Sequence, residues 1–152
     1  VIRVPFRIDT DRESKAETEA KTEASIRGLH ILLAEDNELN MEIAEFMLQN
    51  EGAVVTKTWN GQEAVEIFEK SRPDEFDVIL MDIMMPVMNG YEATKMIRSL
   101  DRGDAKVIPI IAMTANAFTE DRIKAKEAGM DEHVSKPVDA KLLVEVIHEL
   151  VD

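Results

Sequence analysis

From His30 onward the chain alternates short apolar runs with stretches of helical periodicity, and no other feature constrains its fold as much. "HILLAE" (30–35), "AVVTKT" (53–58), "FDVILM" (76–81) and "VIPIIA" (107–112) read as strands, with "EHVSK" (132–136) as a shorter fifth. Strands separated by helices form βαβ units, whose strands run parallel. Between the first two strands Leu39, Ile43, Phe46 and Met47 share one helical face, and Leu143, Val146, Ile147 and Leu150 do so at the end of the chain. Five strands and five helices in about 120 residues predict an α/β domain with a doubly wound parallel sheet and helices on both faces. No internal repeat is visible.

The stretch before His30 has a different character. "VIRVPFRID" (1–9) alternates apolar and basic residues as a strand does, and its Pro5 suits an edge or a strand end. In residues 10–28 the only apolar side chains are Ala16, Ala20, Ala24 and Ile26, too few to bury a core. That stretch is expected to be a polar linker, with the domain boundary near Gly28. A chain whose first residue is Val1 is expected to be a piece of something longer.

Composition removes several classes of function. Acidic residues outnumber basic ones 31 to 18, for a net charge of −13, which argues against a direct role on nucleic acid or an anionic membrane. With no cysteine, disulfides, Cys-ligated zinc and thiol catalysis drop out. No run approaches the ~18 apolar residues of a membrane span, and no signal peptide is recognisable.

In an open parallel sheet, ligands bind beyond the carboxyl ends of the strands. The first strand ends in Glu35-Asp36, the third in Asp82, the fourth in Thr114 and the fifth in Lys136-Pro137. Parallel strands bring all of these to one edge. Three carboxylates so close repel one another unless a cation neutralises them. Oxygen donors, no cysteine and only His133 and His148 besides His30 favour Mg²⁺ over zinc. Lys136 adds a compact positive charge and Thr114 a hydroxyl donor. Together these groups suit a phosphoryl group, which Asp82 would accept as an acyl phosphate.

"ILLAEDNELN", "VILMDIMMPVMNG", "PIIAMTANA" and "VSKPV" resemble the signatures of the response-regulator receiver domain, and the likeness covers residues 29–152. The resemblance implies a flavodoxin-like strand order, 2-1-3-4-5. It implies Glu35 and Asp36 as the acidic pair at the metal, Asp82 as phosphoacceptor, Thr114 as switch hydroxyl and Lys136 as the lysine that contacts the phosphoryl group. It further implies that the Met84 carbonyl is a metal ligand, that the Lys136–Pro137 bond is cis, and that Asn116 and Met84 tune hydrolysis of the adduct. "LLAEDNELNMEIAEFML" and "IIAMTANAF" are similar to receivers of hybrid sensor histidine kinases. Residues 1–9 then resemble the last strand of a kinase ATP-binding domain, and the parent resembles a membrane-anchored kinase whose cytosolic part this is. The implied partners are a histidine kinase core and a histidine phosphotransfer protein. Phosphorylation would shift the loop after the fourth strand and the face of the last two helices. Three residues before Lys136 the family usually has Phe or Tyr, where this chain has His133, whose imidazole can add pH dependence near neutrality.

Plainer explanations stand beside these. Asp36 can be the N-cap of the first helix, and Asp82 an ordinary loop-starting aspartate. Met81, Met84, Met85 and Met88 suit packing and loop contacts better than copper(I), given their hard oxygen neighbours. His148 reads as a surface residue. The rival functions are a Mg²⁺-dependent phosphohydrolase and a degenerate receiver that only docks. The first usually has a second Asp two residues after the nucleophile, where Met84 stands, and the second is disfavoured by the intact set of key residues.

Overall fold

A computed structural model describes residues 26–115, 119–136 and 138–151. The strand and linker expected over residues 1–25 lie outside the described residues. Ile26, assigned to the linker by composition, is fully buried in the core.

The elements run β1 (His30–Ala34), α1 (Glu38–Asn50), β2 (Val54–Thr58), α2 (Gly61–Lys70), β3 (Val78–Asp82), α3 (Gly90–Arg98), α4 (Gly103–Val107), β4 (Ile110–Thr114), α5 (Thr119–Ala128), β5 (Glu132–Ser135) and α6 (Ala140–Val151). The five strands form one sheet in the order β2-β1-β3-β4-β5, with every neighbouring pair parallel, as expected. β3 and β4 are buried along their whole length, because helices cover both faces of the sheet.

Alternation along the strands builds two cores. Leu32, Ala34, Ile79, Met81, Ile110 and Ala112 pack with α2, α3, α4 and α5 on one face. Ile31, Leu33, Val78, Leu80, Ile111 and Met113 pack with α1 and α6 on the other. Shortening any of the buried Leu, Ile or Met side chains among these to Ala would cost about 2–5 kcal/mol.

Three details depart from the sequence expectations. The buried face of α1 is Met41, Ala44 and Leu48, whereas Leu39, Ile43 and Phe46 point to solvent. α1 carries apolar residues around much of its circumference, so spacing alone does not say which stripe meets the sheet. The short helix α4 adds a sixth to the five expected among the described residues, and it takes up Val107, so β4 begins at Ile110 rather than at 107. Pro109, which has no amide hydrogen to donate, separates the two. β3 likewise runs from Val78 to Asp82 rather than 76–81, which makes Asp82 its last residue.

On α6, Leu143 and Ile147 are buried with Val144, and Val146 and Leu150 pack partly against them. No helix among the described residues is long and apolar enough to cross a membrane.

Candidate functional site

The carboxyl ends of β1, β2 and β3 each pass into a helix capped by an asparagine. Asn37, Asn60 and Asn89 accept hydrogen bonds from the backbone N–H groups of Asn40, Glu63 and Glu92. At Asn89 the side chain of Glu92 returns the bond and completes a capping box. The cap of α1 is therefore Asn37, not Asp36, which leaves the Asp36 carboxylate exposed beside the site.

Glu35, Asp36 and Asp82 each offer a carboxylate oxygen within 4.8 Å of the other two. Glu35 and Asp82 are buried. Lys136 Nζ donates to Glu35 Oε1 at 2.8 Å and to Asp82 Oδ2 at 3.0 Å. Asp82 Oδ1 accepts from the N–H of Met84 at 3.3 Å, and Glu35 Oε2 from that of Asn37 at 3.1 Å. Thr114 closes β4, is buried, and through its carbonyl accepts the N–H of Lys136 at 2.8 Å. Glu35, Asp36, Asp82, Thr114 and Lys136 thus meet at one sheet edge, as their strand-end positions suggested.

The electrostatics follow from that crowding. Burial pushes the Asp82 carboxyl up to about 7; Lys136 opposes the rise, and Glu35 adds to it by like-charge repulsion. Burial acts to lower the pKa of Lys136, but its hydrogen bonds to Glu35 and Asp82 outweigh this and raise it. The Lys136 ammonium answers only part of the negative charge. Three oxygen-donor carboxylates without sulfur or imidazole fit a hard divalent ion such as Mg²⁺.

The loop leaving Asp82 is tightly held. Gly90 N–H donates to the Ile83 carbonyl at 2.9 Å and closes its base, and Met88 N–H donates to the Pro86 carbonyl at 2.6 Å across Val87. Val87 has φ +68°, so Pro86 to Met88 form a γ-turn of the rare, strained kind. Met84 and Val87 are exposed on this loop, while Met81 and Met85 fill the core. That division matches the packing role expected of the methionines.

His133, half-buried on β5, lines a shallow recess with Ile83, Thr114, Asp121 and Arg122. Its Nδ1 lies 3.7 Å from Glu132 Oε1. His148 is half-buried on α6, less exposed than a surface assignment implies. Asn116 and Pro137, with the bond preceding it, lie outside the described residues. Asn37, Gly61 and Gly90 also shape this edge, and none of them is among the site residues expected from the strand ends. "EDN" and "NG" before helical periodicity were the available signals.

The family model of the response regulator receiver domain matches residues 31–148. Histidine kinase 1 of Arabidopsis thaliana is 38% identical over 162 residues, covering 87% of this chain and 13% of the relative. Hybrid signal transduction histidine kinase I of Dictyostelium discoideum is 40% identical over 120 residues, covering 78% and 7%. The chain thus spans a small fraction of the length of these curated relatives. Among solved structures, the receiver domain of the sensor histidine kinase PA1611 from Pseudomonas aeruginosa, with a magnesium ion coordinated in its active site cleft, superposes with a TM-score of 0.74. It is 39% identical, and the match covers 82% of this chain and 98% of that one. The receiver domain of Ssk1, crystallised with the histidine phosphotransfer protein Ypd1 of Saccharomyces cerevisiae, gives 0.71 at 29% identity, over 82% and 89%.

Proposed function

The chain belongs to the response regulator receiver domain family, and from that membership we propose that Asp82 is the phosphoacceptor of a phosphorelay. The observation that carries the proposal is the grouping around Asp82: a buried carboxylate at a strand end, a second buried acid, an exposed acid and one lysine ammonium bonded to both buried groups.

In the proposed step an Asp82 oxygen forms a bond to phosphorus as the P–N bond of a phosphohistidine breaks and the imidazole leaves with a proton. Glu35, Asp36, Asp82 and the carbonyl of Met84 would hold Mg²⁺, which when bound neutralises charge on the transferring phosphoryl group. Lys136 needs no large movement to contact a phosphoryl oxygen, since its Nζ already lies 3.0 Å from Asp82. Thr114 lines the recess that runs to Asp121 and Arg122 on α5 and to His133, so its displacement toward the new charge would be felt there.

The donor and acceptor partners in this reading are proteins. Leu39, Ile43 and Phe46 are 64%, 43% and 70% exposed, at i, i+4 and i+7 along α1, whose first turn adjoins Glu35 and Asp36. An apolar stripe beside the acceptor suits a helical partner that carries the phosphohistidine, such as a histidine phosphotransfer protein or a kinase core. The histidine-kinase relatives support a hybrid kinase as the parent chain.

Intact-mass measurement after incubation with acetyl phosphate tests the proposal. A phosphoryl adduct that requires Mg²⁺ and is lost in Asp82→Asn is the expected result. An adduct that persists in that variant overturns the assignment.

A further inference from the structure

We infer that Gly61 and Gly90 are positioning residues for Asp82, each present because a backbone carbonyl of the acceptor strand or its loop occupies the space a side chain would need; this rests on Asp82 being the phosphoacceptor.

A Cβ on Gly90 would stand 2.3 Å from the Asp82 carbonyl oxygen and 3.0 Å from Ile83 Cα. A Cβ on Gly61 would stand 2.3 Å from the Met88 carbonyl oxygen and 3.0 Å from that of Asn89. Neither glycine has a positive φ, in contrast to Gly28, Gly52 and Gly129. Room, rather than conformational freedom, is therefore what these two positions require.

The glycines also donate to the two ends of the loop: Gly90 N–H to the Ile83 carbonyl at 2.9 Å and Gly61 N–H to the Met88 carbonyl at 3.0 Å. Each is the first residue of its helix, directly after the capping Asn89 or Asn60. α3 thus clamps the base of the loop from 83 to 89, and α2 clamps its far end. The loop has little freedom between these contacts, because Asp82 ends a fully buried strand and Ile83 N–H bonds the Met113 carbonyl at 3.1 Å.

An added methyl group at either position must push the loop. For the Asp82 carbonyl to reach even 3.0 Å from a Cβ on residue 90, it must retreat by about 0.7 Å. A shift of that size at a reacting group lowers rate on the order of 10- to 100-fold. Gly61 acts from an element that contributes no charged group to the site, and this makes α2 part of the device that sets the height of Asp82.

The test compares Gly61→Ala, Gly90→Ala and the wild-type protein, with Ile108→Ala as a control that disturbs the core at the opposite end of β4. Initial rates of adduct formation from acetyl phosphate and Mg²⁺ are divided by the folded fraction from circular dichroism at the same temperature. Both glycine variants are expected to be slowed by about tenfold or more per folded molecule, with Ile108→Ala at the wild-type rate. Wild-type rates in the folded glycine variants, or equal slowing in the control, would overturn the inference.

A measurement on the wild-type protein covers the case in which neither variant folds. In a Mg²⁺ titration followed by amide NMR, the Gly61 and Gly90 resonances should move with the same midpoint as Met84. Their silence while Met84 moves would refute the clamp. If the wild-type protein forms no adduct at all, the acceptor assignment itself falls; an adduct with unaffected glycine variants defeats only the positioning role.

Discussion

Lys136 Nζ lies 3.0 Å from Asp82 Oδ2, although 54 positions separate the two residues in the chain. The same ammonium reaches Glu35 Oε1 at 2.8 Å, so one cation serves two buried carboxylates from two other strand ends. Several consequences of the site come from this shared and incomplete neutralisation.

Replacing Lys136 with Met leaves Glu35 and Asp82 buried without their cation. In urea unfolding at pH 8 without divalent metal, Lys136→Met should cost about 2–4 kcal/mol. At pH 5 the loss should shrink, because Asp82, with its pKa raised to about 7, is already protonated there. Equal losses at both pH values would contradict the shared-cation account.

Asp82 itself should make the metal-free protein less stable as pH rises. Its carboxyl titrates near 3.8 when unfolded and at about 7 when folded. Between those values the folded form keeps a proton that the unfolded form releases, so stability is full below about 4 and declines until about 7. Asp82→Asn should abolish that slope and gain roughly 2–4 kcal/mol at pH 8. Denaturation curves at pH 4, 6 and 8 check this, and a variant whose stability runs parallel to wild type would contradict it.

Val87 is a β-branched residue at φ +68°, a conformation glycine adopts without cost. Val87→Gly should relieve strain in the loop and raise stability by about 1 kcal/mol, less the entropy glycine adds to the unfolded chain. Thermal unfolding reads the sign directly. A clear loss of stability would mean that the exposed Val87 side chain makes contacts worth more than its backbone costs.

Phe46→Asp should leave stability within about 0.5 kcal/mol, since the ring is 70% exposed. Transfer from a phosphorylated histidine phosphotransfer protein should nevertheless fall by about tenfold, and by more than transfer from acetyl phosphate. Equal sensitivity to both donors would remove α1 from the partner surface.

The candidate site was legible in the sequence because its polar residues terminate apolar runs: Glu35, Asp82, Thr114 and Lys136 each interrupt or follow a strand pattern. Parallel strands then necessarily gather them. The orientation of α1 was not legible, because Met41, Ala44 and Leu48 form an apolar stripe as regular as Leu39, Ile43 and Phe46. The sheet chooses between them, and only tertiary packing contains that choice. The start of β4 was hidden for a similar reason, since Val107 and Ile108 continue the apolar run of the strand while the backbone there closes the helical turn of α4. Gly61 and Gly90 each follow an asparagine, and the carbonyls that exclude a side chain there come from parts of the chain that a local pattern does not reveal.

The most direct test asks which atom receives the phosphoryl group. The protein is incubated with acetyl phosphate and Mg²⁺, reduced with borohydride, which converts an aspartyl phosphate to homoserine, and mapped by peptide mass spectrometry. Homoserine is expected at position 82 in the wild-type protein, with none when the metal is chelated and none in Asp82→Asn. Homoserine at Glu35 or Asp36 is chemically excluded or misplaced respectively, so modification at any residue other than Asp82, or a metal-independent product, would contradict it.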